Sequence, residues 1–181
     1  AFQLVFYLWT AVLCLSVLPA FPFLSGGAMR AVARFWERVT LAALRLTVGL
    51  SYEVRGRERL PPGPALLAAK HQSAWETIAF HELVPSLAIG LKEELTHIPV
   101  FGWYLMRAEN IRIDRGAAAR AIRSLITGAR TAVGRGLSVL IFPEGTRKAP
   151  GEAPDYKPGV AALYAALALP AVPVALNSGL F

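Results

Sequence analysis

The chain has 181 residues, which is enough for one domain with a substantial core, and it carries a formal net charge of +7 at pH 7. Apolar residues make up 55% of the chain and charged residues 17%, a balance that departs from ordinary soluble proteins and indicates membrane association. The basic excess favours anionic over cationic partners, and the apolar bias favours lipid, so we expect no nucleic acid partner.

The N-terminal stretch is predicted to be a membrane anchor. Residues 1–29 carry no charge, and residues 1–18 are almost wholly apolar. A helix of about 18 residues spans about 27 Å, so both a short membrane span and a half-embedded helix are open. A secretory signal ranks lower because no basic region precedes the apolar run and no small-residue cleavage site ends it. Because the chain begins with Ala1 and ends without a turn or cap signal, we expect a longer protein.

Residues 28–50 follow the pattern of an amphipathic helix. Its basic side is a stripe of four arginines: Arg30, Arg34, Arg38 and Arg45. Such a stripe is typical of a helix at a bilayer surface, and a helix packed on the domain with a solvated basic face is the alternative. Arginines directly after the apolar stretch also favour the cytoplasmic side. We therefore predict that residues 1–50 anchor the chain in the inner membrane, with the rest on its cytoplasmic face.

From residue 51 the chain alternates short apolar runs with helical patterns. Strands are predicted at residues 52–55, 65–69, 86–90, 110–113, 137–142 and 171–176. Helices are predicted at residues 75–83, 100–107, 117–133 and 160–169. This alternation favours an α/β domain at residues 51–181, with a mixed, largely parallel sheet flanked by helices. Ligands are then expected near the carboxyl ends of the strands.

The run Lys-His-Gln-Ser-Ala-Trp-Glu at residues 70–76 joins a predicted strand to a predicted helix. His71 can act as a general base, because an imidazole titrates near neutral pH and a carboxylate on its far nitrogen fixes the tautomer. Glu76, five residues later, can be that carboxylate. Ser73 and Glu76 also fit a capping box, which the local pattern alone favours slightly. The two roles are compatible because a carboxylate has two oxygens.

Two further predicted strand ends carry groups that suit an anion. Asp114 and Arg115 precede a predicted helix, and a Pro-Glu-Gly-Thr-Arg turn at residues 143–147 follows the most apolar strand. Arginine binds phosphate bidentately, and glycine lets backbone N–H groups approach an anion. Each pattern taken alone also fits an ordinary cap or turn.

Other chemistries have less support. The single cysteine, Cys14, lies in the apolar stretch, which excludes an intrachain disulfide and thiol chemistry in the globular part. The three histidines, His71, His81 and His97, show no metal-ligand spacing, so we predict no metal. A serine hydrolase that uses Ser73 would lack the Gly-x-Ser-x-Gly elbow.

Taken in order, these blocks resemble the glycerolipid acyltransferase family, and within it the lysophosphatidic acid acyltransferases of bacterial membranes. The first block is His-x4-Glu at residues 71–76, the second is Ile-Asp-Arg at 113–115, and the third is a complete Phe-Pro-Glu-Gly-Thr-Arg at 142–147. A hydrophobic fourth block with a central proline occupies residues 171–178. The resemblance covers about residues 50–181 and includes a lysine-bearing stretch at 91–95.

The chain departs from the family pattern at three positions. Glu76 replaces the more usual Asp and keeps the carboxylate. Glu109 and Arg112 stand where the family more often has Gly and an apolar residue or Pro. These two departures affect the expected shape of the acceptor pocket.

The resemblance implies transfer of a fatty acyl group to the sn-2 hydroxyl of 1-acyl-glycerol-3-phosphate, which gives phosphatidic acid in phospholipid synthesis. The donor would be acyl-CoA or acyl-carrier protein, and no cofactor is implied. His71 would be the catalytic base and Glu76 its orienting partner. The implied substrate-binding residues are Lys92, Asp114, Arg115, Glu144, Gly145, Thr146 and Arg147. Two alternatives stay open: an acyltransferase for another lyso-lipid, such as lyso-ornithine lipid, and a non-catalytic module that binds membrane lipids.

Overall fold

The computed structural model describes residues 1–114 and 118–180. Its strands are Leu66–Ala69 (β1), Leu87–Lys92 (β2), Ile111–Ile113 (β3), Ser138–Ile141 (β4) and Ala171–Val174 (β5). Its α-helices are Phe2–Val17 (α1), Gly26–Val48 (α2), Trp75–Leu83 (α3), Phe101–Arg107 (α4), Ala118–Gly134 (α5) and Gly159–Leu167 (α6). Short 3-10 segments include Leu18–Phe23, Glu93–His97 and Ser178–Leu180.

The strands form one parallel sheet in the order β3-β2-β4-β1-β5. In the register of the sheet, Leu66 of β1 lies opposite Val139 of β4 on one side and Ala171 of β5 on the other. The four residues of β4 are all buried, as expected for a central parallel strand covered on both faces. The predicted fold class is confirmed, and every described strand pair is parallel.

Successive residues of β1 point to opposite faces of the sheet, and each face has its own core. Leu66 packs into a cluster with Leu125 of α5 and Leu163 of α6. Leu67 packs into a second cluster with Phe80 of α3. Helices therefore cover both faces, and the carboxyl ends of the five strands share one edge of the sheet.

The strand predicted at residues 52–55 is wrong. Its alternating pattern suggests a half-buried strand, but all of these residues are exposed and none joins the sheet. Glu53 and Arg55 pair with each other at 3.0 Å, and the ring of Tyr52 meets the edge of Trp75. Alternation alone predicts only which face of a strand would be buried, whereas a strand also requires a neighbour for its backbone hydrogen bonds.

Helix α1 has one face against α2 and one face free of protein contact. On the packed side, Trp36 Nε1 donates to Thr10 Oγ1 at 2.9 Å. The other side presents a stripe of exposed apolar side chains at helical spacing: Leu4, Leu8, Val12 and Leu15. By length and composition, Phe2–Phe23 could cross a membrane, with a mean hydropathy of 2.1 and no buried residues. The division of the chain at residue 50 stays a prediction.

Helix α2 packs against α3 through a buried polar contact. Glu37 is 2% exposed, and its Oε1 lies 2.7 Å from Nδ1 of His81. Its Oε2 accepts a hydrogen bond from the backbone N–H of Glu82 at 2.8 Å. Burial raises the pKa of Glu37, and the hydrogen bond from His81 opposes that rise. This Glu37–His81 pair ties the second helix of the chain to the helix that follows β1.

The basic stripe of α2 is partly engaged within the protein. Arg38 forms a bidentate pair with Glu82 of α3, with N–O distances of 3.0 Å. Arg30 pairs with Glu109, which also accepts from Arg135 at 2.7 Å. Glu109 has a φ of +68°, in the left-handed region that favours the glycine expected there from the resemblance. Arg30 and Arg38 therefore form ion pairs within the protein, and the role of the stripe at a bilayer surface stays a prediction.

Candidate active site

The turn between β1 and α3, residues 70–76, holds the predicted base and its partner. His71 lies just past the carboxyl end of β1, and Glu76 lies in the first turn of α3. The Nδ1 atom of His71 is 3.0 Å from Oε1 of Glu76. The side chain of Glu76 is fully buried, whereas that of His71 is 14% exposed. The structure therefore brings the two residues together with the imidazole on the accessible side.

The carboxylate of Glu76 accepts hydrogen bonds on both oxygens. Besides His71, Oε1 accepts from the backbone N–H groups of Gln72 and of Ser73, the latter at 2.7 Å. Oε2 accepts from the hydroxyls of Ser73 at 2.9 Å and Ser178 at 2.7 Å. The Ser73 hydroxyl in turn accepts from the N–H of Trp75 at 3.1 Å. Glu76 thus caps the helix and contacts the imidazole at once, although Ser73 lies one residue before the N-cap, Ala74.

The protonation state of Glu76 follows from these contacts. Burial opposes its ionisation, but the hydrogen bonds from His71, Ser73 and Ser178 together lower the pKa of Glu76 to about 2. The carboxylate is therefore ionised at neutral pH and accepts the Nδ1–H of His71. This leaves the lone pair of the ring on Nε2, where it can take a proton from a substrate.

The turn after β4 supports His71 from a second side. The ring of Phe142 stacks on the imidazole with 4.2 Å between centroids and 18° between planes. Glu144 is 1% exposed, and its Oε2 accepts from the backbone N–H of His71 at 3.4 Å. Its Oε1 lies 3.5 Å from Nζ of Lys70. The backbone N–H of Lys148 donates to the carbonyl of His71 at 2.8 Å. These contacts hold both the ring and the main chain of the base.

The remaining residues of the third block form a tight turn at the surface. Gly145 has a φ of +66°, a conformation that favours glycine, and its N–H donates to the carbonyl of Phe142 at 2.9 Å. Thr146 and Arg147 follow with exposed side chains. The turn thus presents a hydroxyl and a guanidinium next to the strand that precedes His71.

The other predicted binding residues lie further along the same edge of the sheet. Lys92 is the exposed last residue of β2, and Asp114 directly follows β3. Arg115 lies outside the described residues. Neighbouring strands are about 4.8 Å apart, so the end of β2, two strands from β1, is about 10 Å from the end of β1.

The sequence prediction missed three contributors to this site. Phe142 and Ser178 belong to the third and fourth blocks, but neither was expected to contact His71 or Glu76. Lys70 was recognised only as a neighbour of His71. Ser178 is 102 residues from Glu76, so no local spacing connects them. A groove of about 480 Å³ lies elsewhere, between the Leu18–Phe23 segment and α4, and it does not include the dyad.

Known proteins resemble this chain in sequence. The sequence model of the family described as Acyltransferase matches residues 51–177. A 1-acyl-sn-glycerol-3-phosphate acyltransferase from Pseudomonas aeruginosa is 36% identical over 173 residues, which are 96% of this chain and 66% of that protein. The human 1-acyl-sn-glycerol-3-phosphate acyltransferase alpha is 30% identical over 143 residues, 78% of this chain and 50% of that protein. The chain thus spans just under two thirds of one relative and half of the other.

The fold also has a solved counterpart. The crystal structure of the 1-acyl-sn-glycerophosphate (LPA) acyltransferase PlsC from Thermotoga maritima matches with a TM-score of 0.73. The match covers 95% of this chain and 71% of that one at 24% sequence identity. At this identity the likeness shows the fold, including the N-terminal helices, because it extends over nearly the whole chain.

Proposed function

The chain belongs to the acyltransferase family, and we propose that it transfers a fatty acyl group from an acyl thioester to the sn-2 hydroxyl of 1-acyl-glycerol-3-phosphate. The observation that carries the proposal is the contact between His71 and a buried, ionised Glu76 at the carboxyl edge of the sheet. The names of the relatives, 1-acyl-sn-glycerol-3-phosphate acyltransferases, support the choice of acceptor. The product would be phosphatidic acid, and we propose no cofactor.

The proposed mechanism is direct transfer with a general base. Nε2 of His71 takes the proton of the acceptor hydroxyl as its oxygen attacks the thioester carbonyl carbon. The resulting tetrahedral intermediate breaks the C–S bond, and the leaving thiol takes the proton back from His71. Glu76 stabilises the imidazolium formed between these steps. A general base of this kind contributes a rate factor of about 10² to 10⁴, and positioning must supply the rest.

The acceptor phosphate is proposed to bind at the basic end of the same edge. Arg147, Lys92 and Arg115 supply the positive charge, since arginine and lysine are the usual phosphate ligands. Gly145 and Thr146 would shape the turn at this end of the acceptor pocket. Asp114 would line the pocket beside Arg115. We propose that Glu144 holds the main chain of His71 in place. One of its oxygens lies near Nζ of Lys70 and the other accepts from the N–H of His71. A direct contact of Glu144 with phosphate is disfavoured because both are anionic.

The structure favours catalysis over the other uses of this turn. The hydroxyl of Ser73 donates to Glu76 and accepts from Trp75, so it is committed to the helix start and not available as a nucleophile. The pair of His71 and Glu76 also differs from the structural pair of Glu37 and His81, because the ring of His71 is 14% exposed at the carboxyl edge of the sheet, whereas that of His81 is buried between two helices. Both observations support His71 as the reacting group.

We propose that the enzyme works at the cytoplasmic face of the inner membrane. Moving a chain of about sixteen carbons fully into water costs on the order of 12 kcal/mol, at about 0.8 kcal/mol per methylene. The enzyme must therefore meet its acceptor in the bilayer. The exposed apolar stripe of α1 supplies a matching surface. The donor is proposed to be acyl-CoA or acyl-carrier protein, which are both available on that side.

The experiment is a product assay on the intact protein reconstituted in phospholipid vesicles. Lysophosphatidic acid, lyso-ornithine lipid and other lyso-lipids are offered with each donor, and product lipids are identified by mass. We expect phosphatidic acid as the main product. His71→Ala should abolish thioester consumption without loss of vesicle binding, and the exposed His97 provides a control in His97→Ala. Preference for another lyso-lipid would overturn the proposed acceptor. Full turnover by His71→Ala would show that His71 is not the catalytic base.

A further inference from the structure

The Ser178–Leu180 segment lies against the turn at residues 70–76, although the two are about one hundred residues apart in the sequence. The hydroxyl of Ser178 donates to Oε2 of Glu76 at 2.7 Å. We propose that Ser178 is a positioning residue, which holds the carboxylate of Glu76 so that its other oxygen stays on the imidazole of His71. The inference rests on the proposed function, because it assigns a role within the same reaction.

The origin of each hydrogen bond to Glu76 shows why Ser178 differs from the other donors. His71, Gln72 and Ser73 belong to the same turn as Glu76, so they move with it. Ser178 follows β5 and is attached to the sheet instead. Among the described hydrogen bonds of this carboxylate, that of Ser178 therefore fixes its position relative to the rest of the fold.

The backbone around Ser178 is seated closely on the same turn. A Cβ atom on Gly179 would lie 2.9 Å from Cβ of Gln72 and 3.0 Å from Cγ of Pro150. Any larger residue at this position would push the segment away from Glu76. At the start of the turn, the N–H of Lys70 donates to the carbonyl of Val174 in β5 at 3.3 Å. Strand β5 and the segment after it therefore hold the turn near both ends.

The hydroxyl of Ser178 acts on His71 only through Glu76. Without this donor the carboxylate loses its hydrogen bond to the segment after β5, and Oε1 is held less firmly against the Nδ1–H of His71. The imidazole then presents Nε2 to the acceptor hydroxyl less often, which lowers kcat. The acceptor and donor KM values are expected to stay unchanged, because Ser178 bonds the oxygen that faces away from His71.

The test compares three substitutions at this segment in the vesicle-reconstituted protein. For Ser178→Ala we expect a fall in kcat of about tenfold at neutral pH, the size expected for one charged hydrogen bond. Both KM values should stay within about twofold, so that the loss lies in kcat alone. Ser178→Thr keeps the hydroxyl and should restore the wild-type kcat. Gly179→Ala keeps Ser178 but displaces it, and should resemble Ser178→Ala.

Ser138→Ala is the matched control for a merely structural loss. The buried hydroxyl of Ser138 accepts from the N–H of Ala65 at 3.1 Å and has no contact with the dyad. This variant should lose stability and keep the kcat of the wild type. A wild-type kcat in Ser178→Ala, or a loss of kcat that Ser178→Thr does not restore, would overturn the inference. A wild-type protein that transfers no acyl group would instead overturn the proposed function, so the two failures are distinguishable.

Discussion

Replacement of Glu76 by Gln would separate the charge of this side chain from its shape. In Glu76→Gln the amide oxygen can take the place of Oε1 and accept from His71, Gln72 and Ser73. The amide nitrogen then replaces Oε2 and donates to the hydroxyls of Ser73 and Ser178, which can act as acceptors. The buried hydrogen bonds are therefore kept, and only the negative charge beside His71 is lost.

The effect on stability follows from the pKa of Glu76. Folding lowers this pKa from its ordinary 4.5 to about 2, and each pKa unit corresponds to about 1.36 kcal/mol. A carboxyl with a lowered pKa in the folded state stabilises the protein above its unfolded pKa, and this contribution is lost as the pH falls. The wild type should therefore exceed Glu76→Gln by about 3 kcal/mol at neutral pH. The difference should shrink between pH 4.5 and about 2.

The measurement is the free energy of unfolding of both proteins in detergent, from pH 7 down to pH 2. Glu58→Gln serves as the control, because Glu58 is a carboxylate with an exposed side chain and should show no such gap. In acyl transfer, Glu76→Gln should lower kcat by about 10²-fold or more, since the imidazolium loses its counter-charge. A stability gap that does not change with pH would show that ionisation of Glu76 is not its source, and the argument would fail.

Three further predictions concern other parts of the molecule. Arg147→Ala should raise the KM of the acceptor by about tenfold or more and leave that of the donor nearly unchanged, as steady-state kinetics can test; equal effects on both would contradict a phosphate contact. The double variant Leu8→Glu and Leu15→Glu should lower vesicle partitioning by about 10²-fold or more, because each exposed leucine contributes about 1.5–3 kcal/mol when buried in lipid; unchanged sedimentation with vesicles would show that the α1 stripe is not the membrane contact. Gly102→Ala should destabilise by about 1–3 kcal/mol because its Cβ would lie 2.3 Å from the carbonyl oxygen of Thr96, whereas Gly134→Ala, with open space, should be neutral or stabilising in thermal melts.

Local patterns were sufficient to predict most of the fold. Helix α3 occupies Trp75–Leu83, the predicted range, and α5 differs from its prediction by one residue at each end. Apolar periodicity and run length are properties of neighbouring residues, so they can be read directly from the sequence. The false strand at residues 52–55 shows the limit of such patterns, because the presence of a neighbouring strand is not a local property.

The same limit applies to the site. The contact between His71 and Glu76 could be predicted because the two residues lie within one turn of chain. The hydrogen bond from Ser178 could not, since β5 must first pair with β1 to bring it close. No sequence pattern singles out Glu37, and its partner His81 is 44 residues away. The missed contacts are therefore those that tertiary packing creates.

The Glu37–His81 pair has a consequence for how this protein can be recombined. Both residues are nearly inaccessible, and removal of one partner from a buried pair of this kind costs about 3–5 kcal/mol. A graft that exchanges the first fifty residues between relatives would separate the acid from its histidine unless both parents share the pair. Viable hybrids should therefore have their breakpoint beyond residue 82, so that the amino-terminal helices and α3 are inherited from a single parent.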